Sequence, residues 1–135
     1  MEEFEGLPTN FKDYLKYEIE QAEELERVPG IMLLKLDEKE KYLLDTLEEI
    51  LFIMDYHNIK FADKHCIDYV GWCDNMIGLY FQNADESIVE IKEGVLKEIN
   101  NRIMKELCFD NVGTAVYDGK RDNIDSMLER AYQNG

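Results

Sequence analysis

Apolar residues recur every three or four positions along most of the chain, which is the pattern of amphipathic helices with one buried side. The first such stretch lies between Pro8 and Pro29-Gly30 and should end there, because proline cannot continue a helix. We predict a helix between these two prolines. Its apolar positions are Phe11, Leu15, Ile19, Ala22, Leu25 and Val28.

Two further stretches have the same spacing together with signals for a helix start. Asp37 and Glu40 have the form of a capping box, which satisfies free amide groups at a helix N-terminus. Asn83 or Asp85 can cap the other stretch. The second predicted helix has apolar positions Leu43, Leu44, Leu47, Ile50, Leu51 and Met54, and the fourth has Ile88, Ile91, Val95, Ile99, Ile103 and Leu107.

The stretch from Asp63 to Phe81 is predicted as a third helix. Gly71 and Gly78 lie seven residues apart in it, and each costs about 1 kcal/mol relative to alanine inside a helix. Their common face favours close approach of another helix. The apolar positions of the third helix are Cys66, Ile67, Val70, Cys73, Ile77 and Tyr80 or Phe81.

Two segments lack a helical period. Residues 31–34 are apolar throughout, which fits a short strand, a buried connector or an early helical turn. Residues 109–119 carry three turn signals around residues that tolerate a strand, which indicates a loop that could hold a short strand. A short last helix, opened by Asp122, has apolar positions Ile124, Met127, Leu128 and Ala131.

The expected fold class is therefore all-α. We expect residues 1–135 to form a single acidic helical domain, a compact bundle of about five helices. One short strand or extended segment near residues 31–35 or 112–117 would fit the same pattern. The length of 135 residues is that of one domain.

The net charge of the chain tells against some classes of function. The chain has 30 Asp and Glu against 15 Lys and Arg, a formal net charge of −15. Direct binding of nucleic acid or of an anionic membrane needs a surplus of Lys and Arg, so neither is expected. The first fifty residues hold fifteen acids and six bases, and the rest hold fifteen acids and nine bases.

The acids of the first two helices should point outward, because the apolar faces of those helices form the core. We predict that they bind a basic protein surface, and that nearby tyrosines add contact area, as tyrosine often does at interfaces. A solvated face that keeps the protein soluble explains the same charge, and this alternative stays open. The predicted partner-binding residues are Glu18, Glu20, Glu23, Glu24, Glu26, Asp45, Glu48, Glu49, Tyr14 and Tyr17.

Candidate chemistry is sparse. His57 and His65 each follow an aspartate by two residues, but residues two apart on a helix point away from each other. The sequence has no C-x-x-C pair, calcium loop, phosphate-binding glycine loop or serine nucleophile elbow. We therefore expect no catalytic, cofactor-binding or metal site, and we expect that the protein is not an enzyme.

No apolar run approaches the roughly 18–20 residues that a membrane span needs. The first residues, Met1-Glu2-Glu3-Phe4-Glu5, have the opposite charge to a signal peptide. We therefore expect a cytoplasmic protein.

In size and charge the chain resembles phage-encoded anti-restriction and anti-CRISPR proteins. This compositional resemblance implies an acidic inhibitor that docks on a basic surface of a nucleic-acid-handling protein, with carboxylates in the place of phosphates. Two alternatives remain open. One is an immunity protein or antitoxin that neutralises a cationic toxin, and the other is a structural helical module that forms a homodimer.

Overall fold

The computed structural model describes residues 6–107, 109–119 and 122–133 and shows a mixed α and β architecture. The helices of this part are α1 (Phe11–Gln21), α2 (Leu44–Tyr56), α3 (Ile88–Ile103) and α4 (Ile124–Gln133). The strands are β1 (Gly30–Leu36), β2 (Lys60–Phe61), β3 (His65–Cys66), β4 (Tyr69–Cys73), β5 (Met76–Phe81) and β6 (Phe109–Val116). Short 3₁₀ helices at Glu38–Leu43 and Asp85–Ser87 precede α2 and α3.

The centre of the fold is a four-stranded antiparallel sheet with the strand order β4-β5-β1-β6. The two inner strands, β5 and β1, pair with Met32 opposite Leu79. On the other side of β1, Met32 lies opposite Thr114 of β6. The strands β2 and β3 form a separate small hairpin, in which Phe61 pairs with His65. The strands β1 and β6, which lie far apart in the sequence, are therefore hydrogen-bonded neighbours in the main sheet.

Helices cover both faces of the main sheet. Met32 and Leu34 of β1 belong to a core cluster with residues of α2 and α3. Ile31 and Leu33 belong to a second cluster with residues of α1 and α4. Because side chains alternate between the two faces of a strand, burial on both faces requires apolar residues at every position. This explains why residues 31–34 show no period.

The expected all-α bundle is wrong. Four of the five predicted helices contain an α-helix, at α1, α2, α3 and α4, although α1 ends at Gln21 and leaves Leu25 and Val28 exposed. Both segments without a helical period, near residues 31–35 and 112–117, are strands, and they pair with each other as β1 and β6. The domain is therefore not a helical one.

The third predicted helix is replaced by the strands β3, β4 and β5. Five consecutive residues of β5, from Ile77 to Phe81, are buried, so the alternation that identifies a half-exposed strand is lost. The turn between β4 and β5 is Asp74-Asn75, and Asp74 has a left-handed φ of 57°. Aspartate and asparagine tolerate this conformation better than most residues, so Asp74-Asn75 is a turn signal. The helical spacing of the apolar residues around it favoured a helix instead.

The two glycines of this segment pair with each other across β4 and β5. A Cβ on Gly78 would lie 2.6 Å from the ring of Phe11 in α1. The predicted close approach of a helix is therefore found at Gly78, but Gly78 itself lies on a strand. This contact brings α1 directly onto the sheet.

Within the described residues, none of the helices combines the length and the apolar character that crossing a bilayer demands.

Candidate ligand pocket

A pocket of about 380 Å³ opens where the end of β1, the turn between β4 and β5 and the start of α2 meet. We call it the hairpin pocket. Pockets for small molecules usually have volumes of about 300–1,000 Å³, so its size is near the lower end of that range. Its lining residues are Leu34, Lys35, Leu36, Glu38, Lys41, Leu44, Leu47, Trp72, Asp74, Asn75 and Ile77.

The floor of the hairpin pocket is apolar because it belongs to the core between the sheet and α2. Leu34 and Ile77 come from the neighbouring strands β1 and β5, where they are paired. Leu47 of α2 is buried in the same core cluster. A flat apolar group can therefore enter the pocket and be removed from water.

Charged side chains surround the opening of the hairpin pocket. The Lys41 ammonium lies 2.6 Å from the Glu38 carboxylate. The Asp74 carboxylate lies 2.7 Å from the ammonium of Lys12, which reaches the turn from α1. Each of these two carboxylates is thus paired with an ammonium group, in a chain whose net charge is −15. The opening is therefore not an acidic surface.

Trp72 of β4 forms one wall of the hairpin pocket and is the single tryptophan of the chain. Its indole N–H donates a hydrogen bond of 3.0 Å to Oε2 of Glu48 in α2. Its backbone N–H donates to the carbonyl of Pro8 at 2.7 Å. The first bond orients the indole ring, and the second holds the backbone of β4 at this position.

The hairpin pocket thus combines an aromatic wall, an apolar floor, an amide at Asn75 and an ammonium group at Lys41. Aromatic rings stack on bases, and lysine binds phosphate as a point charge. This set of groups suits a nucleotide. Sequence reasoning missed the pocket because its residues come from β1, α2 and the hairpin, and only the turn signal at Asp74-Asn75 hinted at it.

The predicted partner-binding residues lie on two different sides of the sheet. Those of α1 and the turns after it are on the side that α1 and α4 cover, and those of α2 are on the opposite side. Glu20, Glu24 and Glu26 are exposed on the first side, and Asp45 and Glu49 on the second. The structure therefore does not bring the ten residues together. Their role in binding a partner stays a prediction.

Glu18, Tyr14 and Glu48 make the following contacts within the protein. Glu18 is buried, and its carboxylate lies 3.3 Å from the Arg27 guanidinium. Tyr14 is half-buried and stacks on Tyr69 with ring centroids 3.8 Å apart. Burial, with the charge of Glu18 next in size, raises the pKa of Tyr14. Glu48 accepts the Trp72 bond described above, whereas Tyr17 is exposed and Glu23 is at the surface.

The histidines lie away from the hairpin pocket. Nε2 of His65 is 2.9 Å from Oγ of Ser87, just before α3, and the ring of His57 packs edge-on against Tyr56. In residues 6–107, 109–119 and 122–133, no three His, Cys, Asp or Glu side chains are placed to hold a metal ion together. Neither histidine forms a dyad with the aspartate two residues before it in any contact described for that part of the chain.

Comparison with known proteins gives information on the fold. No protein-family model matches the chain, and no curated protein matches it either. Among solved structures, it is similar to one described as "A Novel Interaction Mode between a Microbial GGDEF Domain and the Bis-(3, 5)-cyclic di-GMP", with a TM-score of 0.60 and 13% identity. The match covers 89% of this chain and 78% of that chain.

The chain has the fold of a GGDEF domain. At 13% identity the likeness shows the fold alone. Read as residues, the letters GGDEF spell Gly-Gly-Asp-Glu-Phe, a run that this sequence does not contain. The likeness therefore assigns no residue of the chain to a role.

The hypothesis of a nucleic-acid-mimicking inhibitor is wrong. It rested on a small all-helical acidic protein, and the fold is that of a GGDEF domain with a central sheet. The resemblance to anti-restriction and anti-CRISPR proteins was one of size and charge only, and the fold gives it no support. The alternative of an immunity protein rested on the same electrostatics, and the fold gives it no support either. The alternative of a structural helical module is wrong because the domain is not helical, whereas a homodimer stays a prediction.

Proposed function

We propose that the chain is a binding domain for cyclic di-GMP, which it holds in the hairpin pocket without converting it. The solved GGDEF domain with the same fold is described as interacting with this molecule. The observation that carries the proposal is that Trp72 and Lys41 line the same pocket as the apolar residues of its floor. A guanine base would stack on the indole and a phosphate would meet the Lys41 ammonium group.

Charge supports an anionic ligand at this place. The protein as a whole repels anions, because its net charge is −15. At the hairpin pocket, Lys12 neutralises Asp74 and Lys41 neutralises Glu38, so these two carboxylates do not repel an anion as free ones would. A phosphate that displaces Glu38 from Lys41 gains a charge-assisted hydrogen bond in its place.

Size supports partial entry of the ligand. A volume of about 380 Å³ suits one nucleotide half of a cyclic dinucleotide better than the whole molecule. In the proposal, one guanine stacks on Trp72 and the second nucleotide lies at the opening near Asn75. Because cyclic di-GMP is two-fold symmetric, either of its two nucleotides can be the one that enters the pocket.

The lining of the hairpin pocket favours binding over chemistry. It contains no serine, threonine, cysteine, histidine or tyrosine among the described residues. Nucleophilic catalysis by a hydroxyl, thiol or imidazole needs such a side chain next to a base. Lys41, Glu38 and Asp74, which could act as nucleophiles in their place, are held in ion pairs. We therefore propose that the domain is a receptor, not an enzyme.

Titration with cyclic di-GMP tests the proposal through the intrinsic fluorescence of Trp72, which is free of interference from any other tryptophan. We expect saturable quenching, because a base stacked on the indole changes its emission. Lys41→Ala should weaken binding by about tenfold, since a charge-assisted hydrogen bond is worth roughly 1.5 kcal/mol or more. Lys39→Ala is the matched control, because Lys39 lies in the same 3₁₀ helix and does not line the pocket.

Isothermal titration calorimetry gives the second measurement. Trp72→Phe should retain weak binding, and it cannot be followed by tryptophan emission. Absence of both quenching and heat at millimolar cyclic di-GMP would overturn the proposed function. Equal loss of affinity in Lys39→Ala and Lys41→Ala would place the ligand outside the hairpin pocket.

A further inference from the structure

The segment Gly6–Pro8 is bound at the back of the Trp72 wall. The carbonyl of Pro8 accepts the backbone N–H of Trp72 at 2.7 Å, so the segment continues the hydrogen bonding of the sheet at the edge of β4. The Leu7 backbone N–H donates to Oε2 of Glu48 at 3.1 Å. The same oxygen accepts the indole N–H of Trp72 at 3.0 Å. One carboxylate oxygen thus holds both the pocket wall and the segment.

Packing keeps the segment in this position. Leu7 is only 7% exposed and belongs to the core cluster that includes α2. On β4, a Cβ at Gly71 would lie 3.0 Å from the carbonyl oxygen of Pro8, closer than most real Cβ contacts. The absence of a side chain at Gly71 therefore lets the segment approach the strand. The docking is a built part of the fold and not a loose contact of a terminal segment.

Sharing an acceptor couples the two donors. Fixing a flexible side chain such as glutamate costs conformational entropy. Once Leu7 holds the Glu48 carboxylate, Trp72 binds an acceptor that is already ordered. Conversely, once Trp72 holds the carboxylate, the Leu7 amide binds an acceptor that is already ordered. Order at either donor therefore favours order at the other.

We infer that Glu48 is the positioning residue of the hairpin pocket and that it couples ligand binding at Trp72 to docking of the segment Gly6–Pro8. This inference rests on the proposed function for the identity of the ligand, cyclic di-GMP. A ligand that stacks on Trp72 holds the indole, the indole holds the Glu48 carboxylate, and the carboxylate holds the Leu7 amide. By reciprocity, release of the segment lowers the affinity of the pocket.

The experiment begins without ligand and measures hydrogen exchange at the Leu7 amide by NMR. Trp72→Phe removes the indole donor but keeps an aromatic ring and the backbone N–H that Pro8 accepts. We expect the Leu7 amide to exchange about threefold faster or more in this variant. Amides of α3, such as that of Ile99, serve as an internal reference, because a general loss of stability would accelerate them as well.

Variants at Glu48 test the acceptor itself. Glu48→Gln keeps a side-chain carbonyl oxygen that accepts both donors, so it should preserve slow exchange at Leu7. Glu48→Ala removes the acceptor and should accelerate exchange as strongly as Trp72→Phe. Glu49→Ala is the control, since Glu49 is the exposed neighbour on the same helix. Unchanged Leu7 exchange in Trp72→Phe, or failure of Glu48→Gln to preserve it, would overturn the coupling.

The second arm adds cyclic di-GMP. At saturation we expect slower exchange at Leu7 in the wild-type protein and no such effect in Glu48→Ala. Binding that leaves the Leu7 amide unchanged would overturn the coupling of ligand and segment. If cyclic di-GMP does not bind at all, the proposed function falls, and the ligand-free measurements alone decide whether Glu48 links Trp72 to the segment.

Discussion

At the scale of single residues, the pKa of a carboxyl group depends on the groups that surround it. Asp122 has a side chain that is only 2% exposed, and burial alone would raise its pKa. Hydrogen bonds from Arg130, Ser126 and the Asp118 backbone instead lower the pKa to about 2. Arg130 makes two bonds of 2.7 Å to this carboxylate and one to the carbonyl of Val116, which ties α4 to the end of β6.

Asp55 shows the opposite behaviour on α2. Burial, and to a smaller degree the charge of Asp68, raise the pKa of Asp55 to about 6. The folded protein therefore holds a proton on Asp55 more tightly than the unfolded chain, whose aspartate pKa is near 3.8. This contribution to stability is present below about pH 4 and is lost as the pH rises through 6.

Asp55→Asn should therefore stabilise the protein at neutral pH. We expect a gain of about 1 kcal/mol in the free energy of unfolding at pH 7.5, reduced from the full pKa difference because the side chain is partly solvated. The gain should disappear at pH 4. Urea denaturation at the two pH values measures it, with the exposed Asp45→Asn on the same helix as control. A gain of equal size at both pH values would contradict the role of ionisation.

At the scale of elements, periodicity along the chain predicted helices well and strands badly. A helix is stabilised by contacts three and four residues apart, so its pattern is local. The strands β1 and β5 pair across more than forty residues, and helices cover both of their faces. The alternation that would have revealed them was removed by burial on both sides, and the segment from Cys66 to Phe81 could be read as a helix.

Substitutions at the contact between Gly78 and Phe11 test how tightly α1 packs on the sheet. Gly78→Ala should lower the free energy of unfolding by about 1–3 kcal/mol, because the added methyl group collides with a buried ring. Phe11→Leu leaves room for that methyl group. The double variant should therefore be more stable than the sum of the two single effects predicts. Additive effects in thermal denaturation would show that the ring is not what opposes the alanine.

At the scale of the whole molecule, the net charge of −15 acts through its distribution. Ion pairs with Lys12 and Lys41 offset Asp74 and Glu38 at the hairpin pocket, while Glu20, Glu24 and Glu26 lie exposed near the end of α1. Negative charge at a helix C-terminus opposes the helix dipole. The excess charge thus costs stability at that end of the protein.

Salt should therefore raise the thermal stability of the protein. Between 10 mM and 150 mM NaCl the Debye length falls from about 30 Å to about 8 Å, which weakens repulsion between exposed carboxylates. We expect Tm to rise by a few degrees, and Glu24→Lys should raise Tm at low salt but much less at 150 mM. A Tm that falls with added salt would mean that attractive pairs, not repulsion, dominate the surface.

The sequence by itself determined the approximate positions of four helices, the sign of the charge and most of the apolar residues that form the core, although Leu25 and Val28 are exposed. These depend on neighbours close in the chain or on composition. Only the tertiary structure decided that residues 30–36, 69–81 and 109–116 form one sheet, because strand pairing depends on contacts between distant segments. For the same reason, only the fold brought Lys35, Lys41 and Trp72 together in one pocket and aligned Leu7, Glu48 and Trp72 behind it.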